Sequence, residues 1–214
     1  MNGINISLDT LNREKFKEIT RREELENVLE GLDLAICSGI KSIKVNMVVM
    51  KGFNNDEITD FVELTKNNDI TVRFIELMPF DSHQIWKTGK FYRADHIVND
   101  LRSHYRTLSP VTGSSTEYYI FKIKEYAGRV AVIPSYTRSL CSACNRIRVT
   151  ADGNLLNCLY SRSETNMRDA IRNGMKNEGL KNLIVGSMQK KLKDGLIAQN
   201  QGNDSRESMT QIGG

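Results

Sequence analysis

Ser42-Ile43-Lys44-Val45-Asn46-Met47-Val48-Val49-Met50 is the stretch that decides the fold of this chain. Ile43, Val45, Met47 and Val49 alternate with Lys44 and Asn46. That two-residue period belongs to a β-strand with one apolar and one polar face. The pattern recurs on both sides. Upstream, Ile4, Ile6 and Leu8 stand opposite Asn5 and Ser7 within a strand from Gly3 to Leu8; downstream, a strand from Ile70 to Leu77 sets Val72 and Phe74 against Thr71 and Arg73. Between them the period changes to that of a helix. Arg13 to Ile19 reads as a short helix, and Leu25, Val28, Leu29, Leu32 and Ile36 form a helical stripe stopped by Gly39. Asn54 or Asn55 caps a further helix whose buried stripe is Ile58, Phe61, Val62 and Leu64. Strand, helix, strand, helix, strand in this order implies parallel strands joined by right-handed crossovers, an α/β fold.

The polar faces of these strands carry the functional information. Parallel sheets are normally covered on both sides. If helices cover the apolar face, the face bearing Asn5, Ser7, Lys44, Asn46 and Arg73 must meet something polar. A barrel lumen holding an anionic ligand satisfies that requirement, with Lys44 and Arg73 set against a phosphate or carboxylate. A sheet with one solvated face is the alternative. In either case a dry, unpaired lysine and arginine would be too costly to bury, so ligand or water has to be there.

The second half has a different character. Phe80 to Tyr92 is a loop without periodicity, in which Trp86 is a packing anchor. Ala94 to His104 reads as a helix with Ile97, Val98 and Leu101 on one side, and Glu117 to Ile123 with Arg129 to Ile133 as antiparallel strands turning near Ala127-Gly128. Arg146 to Thr150 and Asn154 to Asn157 form a hairpin about Asp152-Gly153. Ser163 caps a helix running to Arg172 and ended by Gly174, and a last helix covers Leu180 to Leu192. We divide the chain into residues 1–92, 93–194 and a flexible polar tail, 195–214, ending Gly213-Gly214.

That hairpin returns Cys158 toward Cys141 and Cys144. The spacing, CxxC followed after thirteen residues by a third cysteine, gathers three thiols beside Arg146 and Arg148. In a chain of 214 residues with net charge +4, 39% hydrophobic residues and no secretory leader, such a cluster favours metal over disulfide and the cytoplasm as its compartment. No apolar run is long enough to span a membrane. Two metals remain open. Zinc needs a fourth ligand from Cys37, His83, His96 or His104. A four-iron cluster on three thiolates keeps one iron open, which suits neighbouring arginines whose planar forks clamp phosphate or a purine edge. The arginines are otherwise a solvated pair on a hairpin. Cys37 reads as a small buried hydrophobe. Asp9 and Glu76, near strand ends, are loop or cap residues before they are catalytic acids.

Several stretches together resemble the molybdenum cofactor biosynthesis protein A family, the GTP 3',8-cyclases. They are Asn5-Ile6-Ser7-Leu8-Asp9, Lys44-Val45-Asn46 with Met50-Lys51-Gly52, Arg73-Phe74-Ile75-Glu76-Leu77-Met78-Pro79, the Cys141 to Cys158 segment and Gly213-Gly214. The resemblance runs through essentially the whole chain. It implies a radical S-adenosylmethionine enzyme: the C-terminal half of an incomplete (βα)6 TIM-like barrel followed by an α+β iron–sulfur subdomain. It implies a 4Fe-4S cluster on Cys141, Cys144 and Cys158, GTP contacts from Lys44, Arg146, Ile147 and Arg148, with Arg73 a further candidate, and S-adenosylmethionine contacts from Ser7 and Met78. The terminal glycines would reach into the active site. The reaction implied converts GTP to (8S)-3',8-cyclo-7,8-dihydroguanosine 5'-triphosphate by hydrogen abstraction at C3' and attack on C8. The resemblance further implies cyclic pyranopterin synthase as the next enzyme and a homodimer as the form of the complete enzyme.

One departure stands out. Members of the family carry a CxxxCxxC motif holding the second 4Fe-4S cluster, which cleaves S-adenosylmethionine. These 214 residues contain no such motif. The expectation is therefore a C-terminal portion of a longer enzyme that binds its cluster and GTP without turning over. Two other readings compete: a zinc-stapled, basic nucleic-acid-binding module, and an orphan fragment with no stable fold. The cyclase reading expects neither nucleic acid nor membrane as a partner.

Overall fold

The computed structural model describes residues 2–78, 89–111, 119–137, 141, 144–161 and 163–200. The Trp86 anchor, the start of the strand expected at Glu117, and Gly213-Gly214 lie outside the described residues. Described residues up to 137 form one compact unit and those from 141 onward a second.

The first unit is a mixed α/β structure around a sheet of six strands. In chain order its elements are β1 (Ile4–Ser7), α1 (Arg13–Thr20), α2 (Leu25–Cys37), β2 (Ile43–Val49), a 3-10 turn (Asn55–Glu57) running into α3 (Ile58–Glu63), β3 (Thr71–Glu76), α4 (Ala94–His104), β4 (Ser109–Pro110), β5 (Tyr119–Lys122) and β6 (Arg129–Ile133). The spatial order is β1-β2-β3-β6-β5-β4. The first four of these pair in parallel, and β5 and β4 continue the sheet antiparallel.

Side-chain alternation decides which face is covered. Along β2 each residue from Ile43 to Val49 is alternately buried and half-buried, and β3 repeats the pattern. Val45, Met47, Val49, Val72 and Phe74 are inaccessible, packed with Phe61 and Val62 of α3 and Ile97 and Leu101 of α4. Each such side chain contributes roughly 1.5–3 kcal/mol relative to exposure. The stripe expected on α2 holds, with Leu25 and Leu32 buried and Val28, Leu29 and Ile36 packed against the core. Cys37 does not belong to it. As the last residue of α2 it falls off the buried face and is exposed, contrary to its reading as a buried hydrophobe.

Other expectations change at the ends of elements. Neither Asn54 nor Asn55 caps a helix. Asn54 is fully buried and ties the ends of β1 and β2 together: Met50 N–H donates to its Oδ1 at 2.7 Å, and its Nδ2 donates to the carbonyls of Asp9 at 2.7 Å and Val48 at 2.9 Å. Asn12 is the amide that caps, accepting from the N–H groups of Glu14 and Lys15 at the start of α1. A second buried junction forms at Glu57, whose carboxylate accepts from Thr10 Oγ1 at 2.8 Å, Leu11 N–H at 2.7 Å and Lys15 Nζ at 2.9 Å.

The sheet also runs past the boundary read at residue 92, because β6 pairs in parallel with β3 and brings α4 and β5 into the same core. Gly128 makes that pairing possible. Its N–H donates to the Thr65 carbonyl, and a Cβ there would lie 2.3 Å from the carbonyl oxygen of Ile70.

The second unit holds β7 (Arg148–Val149), β8 (Asn154–Leu156), β9 (Thr165–Asn166), α5 (Met167–Arg172), α6 (Asn177–Gln189) and α7 (Gly195–Asn200). β7 and β8 make the expected hairpin, with Gly153 at φ 82° in the turn. Three features were not expected. β9 adds a third strand; Asn166, rather than Ser163, caps α5 by accepting from Asp169 N–H; and α7 occupies the start of the supposed tail. None of the described helices is long and apolar enough to cross a membrane.

Candidate functional site

Two groups of functional side chains emerge, one in each unit. In the first, parallel register places the polar residues of β1, β2 and β3 on one sheet face. Asn5 lies beside Lys44, Ser7 beside Asn46, and Asn46 beside Arg73. Lys44 and Arg73 are therefore diagonal neighbours on adjacent strands, both half-buried. Arg73 is held by the amides next to it. Its Nε donates to Asn46 Oδ1 at 2.6 Å and its Nη2 to Asn5 Oδ1 at 3.1 Å. These two amides orient the guanidinium on the polar face of the sheet. Ser7 is exposed on the same face, and Met78 follows two residues after β3, half-buried.

Carboxylates at the strand ends serve the scaffold. Glu76 is inaccessible and accepts from Ala94 N–H at 2.6 Å, Tyr136 N–H at 2.8 Å, Thr137 N–H at 2.8 Å and Thr137 Oγ1 at 3.0 Å. It thus satisfies the first turn of α4 and ties down the chain just past β6. Asp9 accepts from Val48 N–H at 2.8 Å. Burial pushes its carboxyl above the ordinary 3.8, and the Val48 bond offsets only part of that.

In the second unit the cysteines lie among cations. Cys144 N–H donates to the Cys141 carbonyl at 3.1 Å. None of the three cysteines is in a disulfide, and all three are half-buried. Arg146 and Arg148 fall on the half-buried side of the segment, whereas Ile147 and Val149 point outward, 43% and 60% exposed. The Arg148 guanidinium is pushed below its usual value by burial and by Arg146 beside it; Cys158, Cys144 and Tyr160 oppose that shift. Arg148 thus interacts electrostatically with two of the predicted ligands and with the neighbouring arginine.

One residue of this group escaped the sequence reading. Lys191, just beyond α6, sends its Nζ to within 3.5 Å of Cys144 Sγ and 2.9 Å of the Arg146 carbonyl. It lies 47 residues from Cys144, and Lys190-Lys191 after a helix reads as ordinary helix-end charge, so spacing offers no clue.

The donor set fits an iron–sulfur cluster in its chemistry: three thiols on one short segment, with Arg146, Arg148 and Lys191 to balance thiolate charge. Among the described residues no three His, Cys, Asp or Glu side chains are already grouped around one metal position. The fit accordingly rests on the donors and their charge environment, not on a preset cage.

Residues 70–196 match the family described as Molybdenum Cofactor Synthesis C, and residues 1–65 match the Radical SAM superfamily. The chain is 44% identical over 214 residues to a GTP 3',8-cyclase of Chlorobaculum tepidum, covering all of this chain and 64% of that protein. It is 40% identical over 212 residues to the GTP 3',8-cyclase of Peptoclostridium acidaminophilum, covering 99% of this chain and 63% of the relative. Molybdenum cofactor biosynthesis protein 1 of Mus musculus is 42% identical over 193 residues, 89% of this chain and 30% of that one. The chain thus spans just under two thirds of the bacterial relatives and less of the mouse protein. Nothing in these matches favours a nucleic-acid-binding module. With the first family's match extending over more than half of its residues, the chain belongs to the Molybdenum Cofactor Synthesis C family.

Proposed function

We propose that this chain serves the GTP 3',8-cyclase reaction of molybdenum cofactor biosynthesis, supplying the substrate-binding iron–sulfur site. What supports the proposal is three thiols on one segment, Arg146 and Arg148 on its half-buried side, and Lys191 Nζ 3.5 Å from Cys144 Sγ. The names of the bacterial relatives support the same reading.

In this reading Cys141, Cys144 and Cys158 hold a 4Fe-4S cluster, and Lys44, Arg73, Arg146, Ile147 and Arg148 contact GTP. When bound, the cluster held by these cysteines would supply an open iron as a Lewis-acid site for the guanine, and S-adenosylmethionine, contacted by Ser7 and Met78, would supply the radical chemistry needed at C3'. The chain's own residues bind and orient. The arginines neutralise phosphate charge in a partly desolvated setting, where a bidentate guanidinium outperforms an ammonium. Arg73, steered by Asn5 and Asn46, presents a fixed donor fork on the polar sheet face. Holding C3' against C8 is an orientation problem, and rigid strands supply that rigidity better than loops do.

The sheet of the first unit is read as part of the TIM-like barrel, and its polar face as the lumen. The working enzyme is read as a cytoplasmic homodimer that passes its cyclised nucleotide to cyclic pyranopterin synthase. Outside the trio the sequence has only Cys37, so these residues do not themselves provide thiolates for the second cluster. By themselves they are expected to bind GTP without converting it.

The test is anaerobic purification followed by metal, sulfide and nucleotide-binding assays. The expected result is roughly four irons with matching acid-labile sulfide per chain, and a visible spectrum perturbed by GTP. Stoichiometric zinc with negligible iron, and no response to GTP, would overturn the proposal.

A further inference from the structure

We propose that Lys191 is a positioning residue for the cysteine loop, clamping it through two bonds and placing a fixed positive charge against the sulfur of Cys144. The proposal rests on the reading of Cys144 as a cluster ligand and adds a residue to that site. Lys191 Nζ donates to the Arg146 carbonyl at 2.9 Å and approaches Cys144 Sγ at 3.5 Å. An ammonium has three donors on one nitrogen, so a single group can reach a sulfur and a carbonyl at once. The two acceptors flank Asn145, and the clamp fixes the peptide that leads from Cys144 into the Arg146-Ile147-Arg148 run. β7 begins only at Arg148. The residues assigned to the guanine nucleotide thus receive, just ahead of that strand, a side-chain tie from the segment that follows α6.

The second consequence is electrostatic. A hydrogen bond or cation at a cluster's sulfur ligand stabilises the electron added on reduction and raises the potential. Lys191 is half-buried, so its charge is less screened than that of a surface lysine. Arg148 carries a positive charge close to Cys144 and Cys158, and Lys191 complements it from a different segment.

Lys191→Met, which keeps the stem, and Lys191→Arg, which keeps the charge, test this in the 214-residue chain. The first measurement is amide exchange over residues 144–149 in cluster-free protein. Lys191→Met is expected to speed exchange there about tenfold, as loss of one charge-assisted bond implies, and to leave other segments unchanged. The second is the midpoint potential of the reconstituted cluster, expected to fall in Lys191→Met and to return toward wild type in Lys191→Arg. Wild-type exchange in Lys191→Met, or loosening spread across the whole chain, would overturn the proposal. So would a potential that does not move. If wild-type protein takes up zinc and no iron, the functional reading fails, and the exchange experiment still decides whether the clamp exists.

Discussion

Replacement of Glu76 probes the scaffold at its most concentrated point. This carboxylate is inaccessible to solvent and receives three backbone N–H groups and one hydroxyl from two separate segments, at 2.6–3.0 Å. Oε2 takes Tyr136 and Thr137 N–H; Oε1 takes Ala94 N–H and the Thr137 hydroxyl. In Glu76→Gln one of these oxygens becomes an amide nitrogen. The least damaging orientation keeps oxygen toward Tyr136 and Thr137 and turns the NH2 toward Ala94 N–H, setting donor against donor. One charge-assisted bond is lost, one buried donor is orphaned, and the Thr137 hydroxyl can rotate to accept. At about 1.5–3 kcal/mol for a hydrogen bond to a charged group, the cost is about 2–3 kcal/mol. Glu76→Ala orphans all three N–H groups and also leaves a cavity, raising the cost to about 4–5 kcal/mol. Urea unfolding followed by far-ultraviolet circular dichroism measures both, and amide exchange at Ala94, Tyr136 and Thr137 shows where the loss falls. A Glu76→Gln variant within about 0.5 kcal/mol of wild type, the range of an ordinary surface change, with those three amides still protected, would refute the reasoning.

Three further outcomes follow from the same structure. Gly128→Ala should destabilise by about 1–3 kcal/mol, since its Cβ would meet the backbone oxygens of Ile70 at 2.3 Å and Asn68 at 2.6 Å; a melting temperature equal to wild type would count against the β3–β6 pairing. Asp9→Asn should stabilise at neutral pH. The folded-state pKa lies above 3.8, so the native state binds more protons than the unfolded one, and wild-type stability falls as pH rises from 3.8 through the folded value. Asparagine keeps an acceptor for Val48 N–H, so the variant's advantage should grow across that window and vanish below it, as paired unfolding curves at several pH values would reveal. Arg148→Lys should weaken GTP binding by about tenfold, one bidentate contact reduced to a point charge, and leave iron content unchanged; isothermal titration with equal affinity for both proteins would remove Arg148 from the substrate site.

Much of the first unit was legible because burial follows local periodicity. Ile43, Val45, Met47 and Val49 are buried as their alternation demanded, and Ala94 to His104 is a helix over the residues its stripe marked out. Local turn chemistry was equally readable at Asp152-Gly153, where the hairpin forms with Gly153 at positive φ. What failed were assignments at the ends of elements, where the fold and not the local pattern chooses a side chain's surroundings. Asn54 read as a cap, since asparagine before an apolar helical stripe usually is one; in the fold its amide is taken up by Asp9, Val48 and Met50. Cys37 was misjudged by one helical position.

The candidate site divides along the same line. Composition and spacing named the cysteine trio, the arginine pair, and the polar strand face with Lys44 and Arg73, because these are patterns of residue type along the chain. That Asn5 and Asn46 steer Arg73, that Glu76 ties β3 to α4 and to the segment after β6, and that Lys191 reaches Cys144 were all invisible there. Periodicity records which way a side chain points relative to its own element. Only the closure of long loops in three dimensions, with its requirement that every buried donor find an acceptor, selects the distant group that it meets.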